Sequence, residues 1–208
     1  MKLEDADSIL LYGGSFDPPH RAHVELPQRA REKIGADLIA YLPAAQSPHK
    51  LSQAPTPAEH RLAMLGLALQ GVPHTTILTD ELDRAHSGQP SYTAETLEGL
   101  RDRLDPSVTL YWLMGADQIR LFDQWRSPER MVELAQLRVM VRPPQTRDAL
   151  LGALPDDQRE TWANRLIDLP RIAVSSTDLR QRIAQGQPTG ELLDPAVRRY
   201  IDEHRLYR

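Results

Sequence analysis

The residues of this chain most able to do chemistry lie in one stretch, Leu10-Leu11-Tyr12-Gly13-Gly14-Ser15-Phe16-Asp17-Pro18-Pro19-His20-Arg21-Ala22-His23. Gly13 and Gly14 carry no Cβ, so the backbone there can approach a ligand closely. His20 and His23 are spaced i, i+3; with a helix starting near Pro19, both rings share one face of its first turn and point back toward the glycines. A helix start also offers unpaired N–H groups and a partial positive charge, which suit phosphate. The chemistry such a set supports is the binding of phosphates and the stabilisation of negative charge that builds up on them.

Positioning such a turn takes a strand before it and a helix after it. Ser8 to Tyr12 is a short apolar run of the kind a buried parallel strand shows, and the stretch from Val24 to Ile34 reads as a helix. Pro27 lies inside that helix and is tolerable only near its first turn. The alternation continues. Asp37 to Pro43 reads as a second strand, followed by a Pro-rich loop from Ala44 to Pro57 that contains Ser47-Pro48-His49-Lys50. Thr56-Pro57-Ala58-Glu59 predicts a helix start with a Thr cap, which Gly71 ends. Thr75 to Thr79 predicts a third strand, Asp80 to Pro90 a polar loop, and Ser91-Tyr92-Thr93 the opening of a helix. Val108 to Met114 is a fourth strand ending in Gly115-Ala116-Asp117, with helical turns from Gln118 to Gln124 and from Pro128. Leu137 to Val141 and Leu166 to Val174 complete the strands, the last with Pro170 as a sign of an edge or bend. Residues 146–165 read as an amphipathic helix interrupted at Leu154-Pro155, to which the sequence attaches no function. Helices opened by Ser175 and by Asp194-Pro195 finish the chain.

This order predicts an α/β fold, a doubly wound parallel sheet of Rossmann-like type, with residues 1–208 as one domain and a small C-terminal helical part from about residue 175. A chain of 208 residues is long enough to bury about 70% of its unfolded surface in one unit. In such sheets the ligand crevice lies beyond the carboxyl ends of the strands. There the turn holding Gly13 to His23 converges with Ser47 to Lys50, Ser91 to Thr93, Gly115 to Asp117 and Ser175 to Arg180. Each cluster alone has an ordinary explanation: Ser175, Ser176 and Thr177 as helix caps, Lys50 as a solvated charge, Asp117 as a cap and Trp125 as core. Their convergence at one end of the sheet favours a site.

The composition narrows the partners. With 25 Lys and Arg against 29 Asp and Glu, the net charge is −4 and the basic residues are dispersed, which argues against holding long nucleic acid by counterion release. The absence of cysteine excludes disulfides and thiolate metal sites. No apolar run is long enough to span a bilayer, and the acidic start MKLEDADS is unlike a signal peptide, so the expectation is a cytoplasmic protein without a membrane partner. A homo-oligomer is compatible with the sequence.

The stretch from Gly13 to His23 resembles the GGSFDPxHxGH signature of the nucleotidylyltransferase superfamily, with Ala22 in place of the usual Gly, and is most similar to the nicotinate-nucleotide adenylyltransferase family. The segments from Ser91, Gly115 and Ser175 resemble that family's SYT, GxD and SSTxxR motifs in order, so the resemblance covers essentially the whole chain. It implies AMP transfer from ATP to nicotinate mononucleotide with Mg²⁺, the ion held mainly by ATP phosphates and water, since no Asp, Glu and His cluster offers a full cage. It implies His20, His23, Lys50 and Arg180 as catalytic residues. Gly13, Gly14, Ser15, Phe16, His20, His23, Gly115, Asp117, Ser176, Thr177 and Arg180 would bind ATP, with Asp117 accepting from ribose hydroxyls. Ser15, Lys50, Tyr92, Thr93 and Trp125 would bind the mononucleotide, Trp125 stacking on the pyridine ring and backbone amides near Thr93 and Trp125 taking the carboxylate. Alternatives are a phosphopantetheine adenylyltransferase, whose last motif usually has Lys where Arg180 stands, a nucleotide sensor without turnover, and a fragment of a class I aminoacyl-tRNA synthetase, against which the short length and acidic charge speak.

Overall fold

The computed structural model describes residues 2–45, 55–86 and 92–208. Six described strands form one sheet: β1 (Ser8–Gly14), β2 (Leu38–Pro43), β3 (Thr75–Ile77), β4 (Thr109–Gly115), β5 (Gln136–Val141) and β6 (Leu166–Asp168). The sheet order is β3-β2-β1-β4-β5-β6 and every pairing is parallel. This order reverses direction at β1 and β4, the switch point where doubly wound sheets open a crevice.

Alternation along the strands explains why both faces must be covered. Ile9 and Leu11 of β1, with Leu38, Ala40 and Leu42 of β2, join one buried cluster, while Leu10, Ile39 and Tyr41 join another. The first cluster is covered by α4 (Thr93–Arg101), α5 (Pro128–Leu134) and α7 (Asp156–Ala163) through Leu97, Leu100, Met131 and Trp162. The second is covered by α1 (Arg21–Ile34) and α2 (Ala58–Ala68), through Ala22, Leu26, Ala30 and Leu65. A third cluster joins Met64 and Ala68 of α2 to Leu179 and Ile183 of α8 (Ser176–Ala184) and to Val197 and Ile201 of α9 (Pro195–Glu203). Among the described residues no helix is long and apolar enough to cross a membrane.

Several elements differ from expectation. The stretch after β3 is not all loop: α3 (Asp80–His86) begins there, its first turn acidic and held by Thr79, whose carbonyl accepts from the Asp83 amide. Acids at a helix N-terminus are favoured by its partial positive charge. Helix α2 starts one residue late, with Pro57 rather than Thr56 as its cap, because the Thr56 amide donates to Asp17 and its carbonyl accepts from Arg61. Strand β6 is three residues long, and the chain leaves the sheet before Pro170. Residues 116–124 form a 3₁₀-helix, and the interrupted helix divides into α6 (Arg147–Gly152) and α7. Pro27 lies seven residues into α1, beyond its first turn, and is buried there.

Candidate active site

The carboxyl end of β1 passes through Gly13 and Gly14 into the turn that leads to α1. A Cβ on Gly13 would come within 3.1 Å of the Trp112 ring, and one on Gly14 within 3.0 Å of Phe16, so a side chain at either position would crowd a neighbouring ring. Phe16 then turns back with φ 49°, fully buried, and its ring meets the His23 imidazole edge to face at 5.2 Å.

The two histidines do not both occupy the first helical turn. His20 is the N-cap of α1 and His23 the third helical residue. Their rings nonetheless stack at 3.7 Å with planes 14° apart. The His20 backbone N–H donates to His23 Nδ1 at 3.3 Å, which puts the proton of a neutral His23 ring on Nε2. His20 is only 6% exposed, and burial pushes its pKa down to about 4, so near neutral pH it is an uncharged donor and acceptor. Two stacked cations would repel, and the burial of His20 avoids that. Its Nδ1 is buried, and no hydrogen-bond partner for it lies among the described residues.

The N-terminus of α8 docks on this turn. Ser176 Oγ donates to the Pro18 carbonyl at 2.9 Å, and Arg180 donates to the Asp17 carbonyl at 2.6 Å and to Thr177 Oγ1 at 3.3 Å. Ser175 caps the helix, its hydroxyl accepting from the Asp178 amide. The helix starts of α1 and α8 are therefore adjacent, and Ser176 and Arg180 tie the turn together. Asp117 is exposed at the end of β4, accepting from Gln118 at 2.5 Å. One of its carboxylate oxygens lies 2.4 Å from where a Cβ on Gly115 would be, so a side chain there would displace the Asp117 carboxylate.

Farther out, the Arg126 guanidinium lies 4.2 Å from the centre of the Tyr92 ring, which brings Tyr92 beside the segment holding Trp125. Trp125 is partly buried against the core, its ring 5.8 Å from Phe122, and its indole N–H is buried without a partner among the described residues. The Trp125 backbone amide donates to the Phe122 carbonyl at 3.0 Å. Thr93 opens α4, where first-turn amides have no partner within the helix. Ser15 is held by its carbonyl, which accepts from Arg61 at 2.8 Å. Ser47 to Lys50 and Ser91, including the catalytic expectation for Lys50, lie outside the described residues.

Three further residues support this site and escape sequence reasoning. Arg61 is 1% exposed and donates to three carbonyls, those of Ser15, Ala45 and Thr56. Burial lowers its pKa while the charge of Asp17 opposes that shift. Asp17 accepts from the Thr56 amide and, at 2.6 Å, from the Tyr207 hydroxyl, which burial and Asp17 keep protonated. One signal for Arg61 was present: it shares the spacing of Met64, Leu65 and Ala68, a charged residue on the apolar stripe of α2. Tyr207 carried no such signal.

A parallel nucleotide fold with paired histidines at its switch point defines a nucleotidyltransferase. The family model described as Cytidylyltransferase-like matches residues 11–182, and the chain belongs to that family. It shares 37% identity over 205 residues with a nicotinate-nucleotide adenylyltransferase of Roseiflexus sp. strain RS-1, covering 96% of this chain and 98% of the relative. With the enzyme of that name from Bordetella avium it shares 39% over 204 residues, covering 96% and 98%. The fold is similar to that of Plasmodium falciparum nicotinic acid mononucleotide adenylyltransferase complexed with NaAD, with a TM-score of 0.70 at 19% identity, covering 96% of this chain and 97% of the other.

Proposed function

We propose that this chain transfers the adenylyl group of ATP to nicotinate mononucleotide, forming nicotinate adenine dinucleotide and pyrophosphate in NAD biosynthesis. The observation that carries the reading is the stack of buried His20 on half-buried His23 at the start of α1, in a chain 37 to 39% identical to proteins of that name over nearly its full length.

A phosphate monoester has its second pKa near 6. Near neutral pH the acceptor is already an anion, and no general base is needed. The barrier comes from bringing two anions together and from charge on the departing pyrophosphate, so the protein contributes fixed donors. His23 Nε2–H and the first amides of α1 suit the oxygens around the α-phosphorus, and the N-terminus of α8 with Thr177 suits the triphosphate tail. Arg180 and Lys50 add positive charge, and Asp117 suits ribose hydroxyls. Attack by the acceptor phosphate oxygen forms one P–O bond as the bond to the bridging oxygen of pyrophosphate breaks, in line and without an enzyme-bound adenylate. Trp125 and Tyr92 suit the pyridine ring, and the free amides at Thr93 suit its carboxylate.

Among the described residues no group of three acidic, His or Cys side chains could hold a metal ion. Mg²⁺ would arrive on the phosphates of ATP and neutralise charge on the triphosphate. The reading also sets the enzyme in the cytoplasm with small-molecule substrates, and the excess of acids over bases supports the absence of a nucleic-acid partner.

The test offers purified protein, ATP and Mg²⁺ with nicotinate mononucleotide, nicotinamide mononucleotide or phosphopantetheine in parallel, reading pyrophosphate release. Turnover fastest with nicotinate mononucleotide is expected. Preference for phosphopantetheine, or release with none of the three, overturns the reading.

A further inference from the structure

Pro27 sits four residues after His23 in α1. In a regular helix the carbonyl of residue 23 accepts from the amide of residue 27, but proline has no N–H to give. The structure supplies a donor from another element: the Tyr41 hydroxyl of β2 donates to the His23 carbonyl at 3.1 Å. Tyr41 is fully buried, and burial raises its pKa, so the hydroxyl remains a donor. Its ring also packs on the residues that pack on the imidazole: 5.9 Å from Phe16 and 5.8 Å from Tyr12, whose rings lie 5.2 Å and 6.4 Å from the His23 ring.

We propose that Tyr41 is a positioning residue for His23, its hydroxyl replacing the helix amide that Pro27 removes and thereby tying the backbone of the catalytic histidine to the sheet. The inference rests on the adenylyl-transfer reading for its kinetic consequence. Proline at position 27 opens the first turn of α1 to an outside donor, and the phenol on β2 closes it, so the direction of the imidazole depends on the rigid sheet rather than on the end of a helix, where hydrogen bonds fray. A displacement well below 1 Å at a reacting group is enough to slow catalysis.

The test is a double-mutant cycle. Tyr41→Phe keeps the ring and removes the tether; kcat is expected to fall about tenfold while both KM values stay within about twofold. In a Pro27→Ala background, residue 27 regains its amide, and the same Tyr41→Phe change should lower kcat by less than about twofold. An equal fall in both backgrounds, or no fall in either, overturns the proposal. Should Tyr41→Phe alone fail to fold, folding of the double variant supports the bond and its failure overturns it. The NMR Cε1–H resonance of His23, assigned with His23→Ala, gives a readout without substrates: it should move in Tyr41→Phe and return in the double variant, and an unmoved resonance overturns the proposal. A wild-type chain that makes no dinucleotide yet shows this pattern would refute the assigned reaction and leave the positioning role intact.

Discussion

The two ends of the crevice are built in different ways. At the transfer end, His20, Asp17 and Arg61 are each less than a tenth exposed; Arg61 donates to the carbonyls of Ser15, Ala45 and Thr56, and Asp17 accepts from the Thr56 amide and, at its own carbonyl, from Arg180. At the acceptor end, Tyr92 is covered by Arg126, itself paired at 3.5 Å with Glu95 through side chains 56% and 37% exposed, and Trp125 is only partly buried. Donors aimed at developing charge act best when they need no rearrangement at the moment of reaction, whereas an aromatic and cationic surface can adjust as a ring arrives. Rigidity is concentrated where the bond is made.

The comparison makes its largest prediction at Arg61. Arg61→Met fills similar volume but strips a donor from three carbonyls, so stability should fall by about 3 kcal/mol or more, read as a shift in urea midpoint at constant slope. A loss below about 1 kcal/mol would mean that the transfer end is not held from within. His23→Ala comes next: removal of one preorganised donor typically costs about 10² to 10³ in turnover, so kcat should drop in that range with ATP affinity little changed. Near wild-type kcat would remove His23 from the chemistry.

His20 sharpens the contrast through pH. Its folded pKa, about 4, lies below the ordinary value near 6.5, so in acid the unfolded chain takes a proton that the folded site refuses. The stability held by the neutral ring is complete above pH 6.5 and is lost as pH falls toward 4, by about 3 kcal/mol across that window. His20→Asn should flatten that part of the profile in urea titrations from pH 4 to 7, and an unchanged slope would place the proton uptake elsewhere. The smallest effect belongs to the acceptor end. Trp125→Ala should raise the KM for nicotinate mononucleotide by the equivalent of roughly 1 to 3 kcal/mol while that for ATP stays nearly constant. An equal rise in both, or loss of folding, would make Trp125 a core residue and erase the contrast.

The same division explains what could be read in advance. The central strands β1 and β2 were legible because their buried residues face both sides of the sheet and so read as continuous apolar runs, and the glycine turn because close approach and phosphate binding demand particular residue types at fixed spacing. Arg61 and Tyr207 act by reaching across the fold to main-chain atoms and to Asp17, so their partners show only once the chain is folded, although Asp17 stands in the opening signature and Arg61 on the apolar stripe of α2. Helix α3 was hidden by its acids, which look like loop until the helix start that stabilises them is seen. Pro27 looked like an obstacle to α1 because the group that accommodates it comes from β2.

The bond from Tyr207 to Asp17 joins positions 190 residues apart. A ribosome adding about 5–20 residues per second needs roughly ten to forty seconds to make that interval of chain. Through almost all of that time the nascent protein already owns its glycines and both histidines, and through nearly the second half of it four to six strands, yet it lacks the phenol that seats the carboxylate of residue 17. The turn that carries the two histidines thus acquires one of its supports from a segment made long after it, so its packing is ordered by synthesis as well as by folding.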